Sequence, residues 1–188
     1  GACGLLAANR VNTAKMRQRL LRIDRAALQC TDLTTALLML SRNERGMGQC
    51  NIHKLVTQLV EANRAHIAGK PIELFVEGET DVIIDAPEAV LSVAIGNLLG
   101  NACKYTVEGE VRCRIEKGCV LIEDTGPGLS AEDAERLFER GYRGSSVGNT
   151  TGGGIGLSIV RRLCELYGWH VSIAPREQGG AVAVLQFH

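Results

Sequence analysis

Four glycines, Gly152, Gly153, Gly154 and Gly156, stand at the head of an amphipathic run in the stretch NTTGGGIGLSIVRRLCELYG, Asn149 to Gly168. Glycines at a helix entrance let the chain close around something bulky or approach it with bare backbone amides. A helix N-terminus, with its unpaired N–H groups, favours anions. A phosphate is therefore the first candidate ligand. The two glycine signatures that would each assign a fold both fail. A phosphate-cradling P-loop needs glycine, four residues and then Gly-Lys-Ser/Thr, but Gly148 leads to Gly153 and then to Gly154 where the lysine belongs. The dinucleotide fingerprint Gly-x-Gly-x-x-Gly fails at its third glycine, since Gly154 and Gly156 are followed by Ile159. A third kind of nucleotide site is the one to consider.

Periodicity predicts the elements around this loop. From Met16 to Glu44 runs a segment without glycine or proline, whose apolar positions Ile23, Ala26, Cys30, Leu33, Leu37 and Leu40 are spaced 3, 4, 3, 4, 3. That is a coiled-coil or bundle stripe, and because Gly46 and Gly48 separate it from the C-terminal remainder of the chain it reads as an exported dimer or bundle helix. A helix is expected from a cap near Asn51 to a stop at Gly69, then a strand over IELFVEG, then a long helix over DAPEAVLSVAIGNLLGNACKYT with proline in its first turn. Two strands around a tight turn at Lys117-Gly118 form a hairpin. Residues 141 to 156 read as loop, 155 to 167 as helix, and WHVSIAP and AVAVLQFH as closing strands. The fold class is α+β, a two-layer α/β sandwich with a mixed, largely antiparallel sheet, preceded by a long bundle helix.

Composition removes several function classes. Of 188 residues, 45% are hydrophobic and 22% charged, a globular balance. Lys+Arg and Asp+Glu are both 21, so a formal charge of +0 points to neither nucleic acid nor an anionic membrane as partner. The seven cysteines are odd in number and scattered, with no Cys-x-x-Cys pair, against a disulfide framework or a zinc site. They read as reduced, mostly buried thiols of a cytoplasmic chain. Nowhere do eighteen apolar residues run together, so no membrane contact is expected of this segment.

On the long helix Asn97, Asn101, Lys104 and Tyr105 fall at i, i+4, i+7 and i+8 and share one face. Leu91, Ala94, Ile95, Leu98, Leu99 and Ala102 supply the apolar side. Two amides one turn apart with a lysine behind them suit a hard Mg²⁺ held mainly by phosphates and water, the lysine offering a cation to those phosphates. Taken singly, either asparagine is a solvated residue or a local hydrogen bonder, and Tyr105 stacks on a base or simply packs. In LIEDTGPGLS a strand ends in Asp124, with Gly126 and Gly128 just beyond it. Out of context this is a turn. In context the carboxylate can accept from the exocyclic amine of adenine, and the glycines let a base lie close to backbone.

NLLGNACKYT, EDTGPGLS, LFERGYRG and GGGIGLSIV, in this order, resemble the N, G1, F and G2 boxes of the sensor histidine kinases of two-component systems. The resemblance covers Pro71 to His188 as a catalytic ATP-binding domain of the superfamily shared with gyrase, Hsp90 chaperones and MutL, which implies a Bergerat-type fold. RIDRAALQCTDLTTALLMLSR resembles the second helix of the family's dimerisation domain, which divides the chain into a partial dimerisation region, 1–46, and a catalytic domain, 47–188. By this resemblance Asn97 and Asn101 are metal-linked, Lys104 contacts phosphate, Tyr105 stacks on the base and Asp124 reads adenine. Gly126 and Gly128 shape the base pocket. Gly152, Gly154, Ile155, Gly156 and Leu157 end a mobile lid over the phosphates, and Arg143 contributes to phosphate binding. ATP and Mg²⁺ are the implied cofactors. The implied partners are the chain's own dimerisation helix in a second kinase subunit and the receiver domain of a response regulator, with a sensor region and membrane spans of any parent protein lying upstream of Gly1.

Two departures from the family pattern stand out. Between Arg143 and Arg161 the lid sequence carries no lysine or arginine. No phosphoacceptor stretch of the His-Glu-Leu-Arg-Thr-Pro kind exists, because His53, His66, His170 and His188 sit in other contexts. The expectation is a catalytic part that phosphorylates a histidine on a helix outside this chain. Two rivals remain: an ATP-hydrolysing module of the gyrase or Hsp90 kind, and a degenerate nucleotide-binding regulator. The hydrolytic relatives place a glutamate base one turn before the metal asparagine. Here that position is Asn97, whose amide has no useful basicity near neutral pH.

Overall fold

The computed structural model describes residues 2–65, 67–138 and 155–187. In chain order the elements are α1 (Ala2–Arg42), β1 (Cys50–Asn51), α2 (Ile52–Arg64), β2 (Ile72–Gly78), β3 (Ile83–Ile84), α3 (Glu88–Tyr105), β4 (Gly109–Glu116), β5 (Cys119–Asp124), α4 (Ala131–Arg136), α5 (Ile155–Tyr167), β6 (His170–Pro175) and β7 (Ala181–Gln186). Five strands form one sheet in the order β2-β4-β5-β7-β6, in which only β2 and β4 are parallel. A parallel pair needs a long crossover, and α3 provides it, so this helix must lie against the sheet.

Alternation along the strands decides which side chains meet the helices. Val111, Cys113 and Ile115 of β4, Val120 and Ile122 of β5, and Ala183 and Leu185 of β7 are buried. They pack in one cluster with Ile52, Leu55, Val56 and Val60 of α2, with Val90, Leu91, Ala94, Ile95, Leu98 and Leu99 of α3, and with Val160 and Leu163 of α5. The helices and the sheet thus make the two layers expected. Burial pushes the Cys103 thiol up to about 11 and those of Cys113 and Cys164 to about 12, so these cysteines stay protonated packing groups.

Local signals account for the element ends. The Asn51 side chain accepts from the Lys54 amide at 2.9 Å and caps α2. Gly118, at φ +87°, turns the β4–β5 hairpin, and Glu116 pairs with Cys119 across it. Three short elements lie beyond the reach of periodicity: β1 and β3, which form a two-residue ladder, and α4, whose Ser130 side chain accepts from the Asp133 amide at 3.0 Å.

The stripe on α1 divides between two environments. Its C-terminal turns lie on the chain's own domain: Ala36 is fully buried, Leu33, Met39 and Leu40 pack against the core, and the Ser92 hydroxyl of α3 donates to Asp32 Oδ2 at 2.8 Å. Further back Met16, Leu20, Ile23 and Leu28 are more than half exposed. The glycines after α1 allow close approach. A Cβ on Gly46 would stand 2.8 Å from Pro87 Cγ, the Gly46 amide donates to the Tyr167 hydroxyl at 3.0 Å, and Arg45 Nε donates to the Leu166 carbonyl at 2.7 Å. The exit from α1 is thereby held to the end of α5. Because Ala36 leaves no room for a charge, Ala36→Glu is expected to lower the unfolding free energy by about 1–3 kcal/mol, read as a lower midpoint in a urea titration.

Candidate functional site

α3 is buried over much of its surface but leaves one face at the edge of the core. Asn97, Asn101, Lys104 and Tyr105 are all half-buried on that face. Asn97 Nδ2 donates to the Val93 carbonyl one turn back at 2.7 Å, which commits the amide nitrogen to its own helix and leaves Oδ1 directed outward. Oδ1 faces the first turn of α5, where a Cβ built on Gly156 would collide with it. Gly156 is therefore needed for close approach, which answers for one of the four glycines. Ile155 opens α5, and Leu157 is half-buried against the core. Lys104 Nζ lies 5.2 Å from the centroid of the Tyr105 ring. Arg143, Gly152 and Gly154, with most of the loop read at 141 to 156, lie outside the described residues.

At the other end of the site Asp124 terminates β5. Its Oδ1 accepts from the Gly126 amide at 2.8 Å and from the Ala181 amide at 3.3 Å, and its main-chain carbonyl accepts from Arg176 Nη1 at 2.8 Å. Among the described residues no hydrogen bond reaches Oδ2. Gly180, at φ +84°, presses against the Asp124 carbonyl so closely that a Cβ there would overlap it. Gly128, at φ +73°, in turn lies over Gly180, its built Cβ 3.1 Å from the Gly180 carbonyl oxygen. The glycine loop after β5 is thus folded onto the turn between β6 and β7. Burial raises the Asp124 carboxyl above its ordinary value, against the opposing effect of the Gly126 and Ala181 amides and the Arg176 charge.

The end of α3 joins the two parts. Lys70 Nζ donates to the carbonyls of Cys103, Lys104 and Thr106 at 3.2, 3.3 and 3.3 Å, satisfying acceptors that the helix end leaves open. Sequence patterns single out none of Lys70, Arg176 and Gly180. A pair of glycines before a closing strand is a signal that could have found Gly180. The two cations act through backbone carbonyls distant in sequence, which leave no local pattern. Among the described residues no three of His, Cys, Asp and Glu converge as a metal cluster. The oxygen donors at hand are the amides of Asn97 and Asn101, and they fit a hard cation whose shell is completed by phosphate and water.

The family described as histidine kinase-, DNA gyrase B- and HSP90-like ATPase matches residues 86–188, more than half of the chain. The chain belongs to this family. Within it, the sequence is 28% identical over 178 residues to the sensor protein kinase PmrB of Pseudomonas aeruginosa, covering 89% of this chain and 37% of PmrB. It is 34% identical over 175 residues to the sensor protein QseC of Salmonella typhi, covering 88% of this chain and 37% of QseC. Full-length ShkA, solved in complex with AMPPNP, superposes with a TM-score of 0.66 at 27% identity, over 87% of this chain and 36% of ShkA. The chain thus spans little more than a third of these relatives, and its matched part is an ATP-binding catalytic domain of the histidine kinase kind. Among the described residues no helix is long and apolar enough to cross a membrane.

The raised Asp124 carboxyl has a consequence for stability. The folded chain binds this proton more readily than the unfolded chain, so the associated stability is fully present below the unfolded carboxylate range. It is lost as pH rises through the raised folded value. At neutral pH Asp124→Asn, whose amide oxygen can keep both backbone bonds, is therefore expected to leave the nucleotide-free chain as stable as the parent or more so. A melting temperature lower by more than about 5 °C, the change expected of a lost structural contact, would refute this.

Proposed function

We propose that this chain binds ATP with Mg²⁺ and presents the γ-phosphate to a histidine on a helix outside the chain, for relay to the receiver domain of a response regulator. The observation that carries the reading is Asp124: a desolvated carboxylate at a strand end, one oxygen held by two backbone amides, beside glycines that allow close approach. Such a group accepts from an exocyclic amine and is costly to leave unmatched. That ShkA, similar to this chain over 36% of its own length, was solved in complex with AMPPNP supports a nucleotide as the ligand. Tyr105 offers its ring to the base, and Gly126 and Gly128 shape the pocket. Lys104 contacts phosphate, and the amides opening α5 at Gly156 and Leu157 offer it further donors. Asn97 and Asn101 would hold Mg²⁺ through their amide oxygens. When bound, the ion neutralises charge on the β- and γ-phosphates.

In the transfer the imidazole nitrogen attacks the γ-phosphorus, an N–P bond forms, the bond to the β,γ-bridging oxygen breaks and ADP leaves. The chain's own residues contribute by holding the nucleotide in line and matching its charge. Asn97 favours this over hydrolysis, because its amide offers no base to water and its nitrogen is already bound to Val93. The region 1–46 contributes the second dimerisation helix, and 47–188 the catalytic domain. The exposed Met16, Leu20, Ile23 and Leu28 offer the surface on which a phosphoacceptor helix and a second subunit dock.

The chain is expected to bind an ATP analogue with Mg²⁺ in calorimetry, and Asp124→Asn to weaken that binding by about 1.5–3 kcal/mol. Affinity within a factor of two of the parent would remove Asp124 from the adenine-reading role. With γ-labelled ATP the chain alone is expected neither to label itself nor to release phosphate at an appreciable rate. An added peptide carrying a phosphoacceptor helix should acquire acid-labile label. Rapid hydrolysis without the peptide would favour the gyrase-like reading, and binding without transfer to any helix the regulatory one.

A further inference from the structure

Thr106 ends α3 in an extended conformation, and its side chain is fully buried. Its Oγ1 is the one buried side-chain polar atom among the described residues that has no hydrogen-bond partner. Burying a hydroxyl unpaired costs stability, and buried polar groups in folded chains are otherwise nearly always satisfied by protein or ordered water. The residue is not loosely placed. Its amide donates to the Ala102 carbonyl at 3.1 Å, and its own carbonyl accepts from Lys70 Nζ at 3.3 Å. The hydroxyl is thus held in position with no hydrogen-bond partner among the described residues.

Its surroundings say what it faces. A Cβ built on Gly126 would stand 3.3 Å from Thr106 Oγ1 and 2.9 Å from Asp124 Oδ1, so the hydroxyl and the carboxyl group meet at the same glycine, where a side chain would intrude. We infer that Thr106 is a second base-reading residue: its hydroxyl donates, directly or through one bridging water, to the ring nitrogen of adenine adjacent to the exocyclic amine that Asp124 accepts from. This rests on the nucleotide reading of the site given under Proposed function. The pair then matches the donor and acceptor order of adenine's edge, the amine donating to Asp124 and N1 accepting from Thr106. Guanine and hypoxanthine present the reverse order, an acceptor oxygen beside an N–H donor. They would leave both protein groups unmatched, and a site built to hydrogen-bond rejects analogues that cannot reply.

The test is calorimetric titration of the chain, with Mg²⁺, using ADP and 1-deaza-ADP, which lacks the N1 acceptor while keeping the amine. The parent is expected to bind 1-deaza-ADP about fivefold to tenfold more weakly than ADP. Thr106→Val, which keeps the shape and removes the hydroxyl, should weaken ADP by a similar factor and bind the two ligands alike, while Thr106→Ser should restore the preference. Equal affinity of the unmutated chain for the two ligands overturns the inference whatever becomes of the variants. So does a Thr106→Val chain that still prefers ADP by the parental factor. A parent that binds no ADP at all overturns the nucleotide reading itself, and this one with it.

Discussion

The parallel pairing of β2 with β4 is the constraint from which the site derives. It obliges the chain to cross over, and the crossover helix α3 is packed into the core, where Val90, Leu91, Ala94, Ile95, Leu98, Leu99 and Ala102 are buried. The rest of the helix is then oriented without further instruction. Asn97, Asn101, Lys104 and Tyr105 are the half-buried positions it leaves at i, i+4, i+7 and i+8. The same burial carries Thr106 to the glycine loop after β5, where Lys70 pins the helix end by three carbonyls.

Around this helix the backbone approaches itself closely at points only glycine tolerates: Gly156 against Asn97, Gly180 against the Asp124 carbonyl, Gly128 over Gly180. Each glycine costs roughly 0.5–1 kcal/mol of conformational entropy relative to alanine. The desolvated Asp124 and the unpaired Thr106 hydroxyl are further costs, and they fall in the same small volume. The hydrophobic cluster between the two layers is apolar, and on the proposed reading the unfavourable groups gather where a ligand can satisfy them. Proteins break the rules of stable folding at functional sites and compensate elsewhere.

Much of this was legible in the sequence because the signals were local and periodic. The cap at Asn51, the turn at Gly118 and the helix over 155 to 167 are each encoded within a few residues, and the structure has all three. The polar positions of α3 were equally legible, since Asn97, Asn101, Lys104 and Tyr105 recur at i, i+4, i+7 and i+8 and are all half-buried. The α1 stripe was legible as a stripe but not in its destination. Leu33 and Leu40 pack on the chain's own domain, with Ala36 and Met39 beside them, while Ile23 stays exposed. Periodicity says that a face is apolar and is silent on what covers it. Lys70, Thr106, Arg176 and Gly180 escaped for a related reason: their work is done on backbone atoms, or in gaps, that sequence distance hides.

The choice of an amide at Asn97 ties the local structure to the chemistry proposed for it. Its nitrogen completes a hydrogen bond to the Val93 carbonyl, so the oxygen has one direction left, toward the opening turn of α5. A carboxylate in the same place could not donate to Val93 and would set a negative charge where phosphates are to bind, unless a cation always accompanied them. It would also supply water with a base. The amide avoids both while still offering an oxygen to a hard cation. On the proposed reading a bound nucleotide then keeps its γ-phosphate until an imidazole arrives, and the catalytic burden shifts from activating a nucleophile to positioning one.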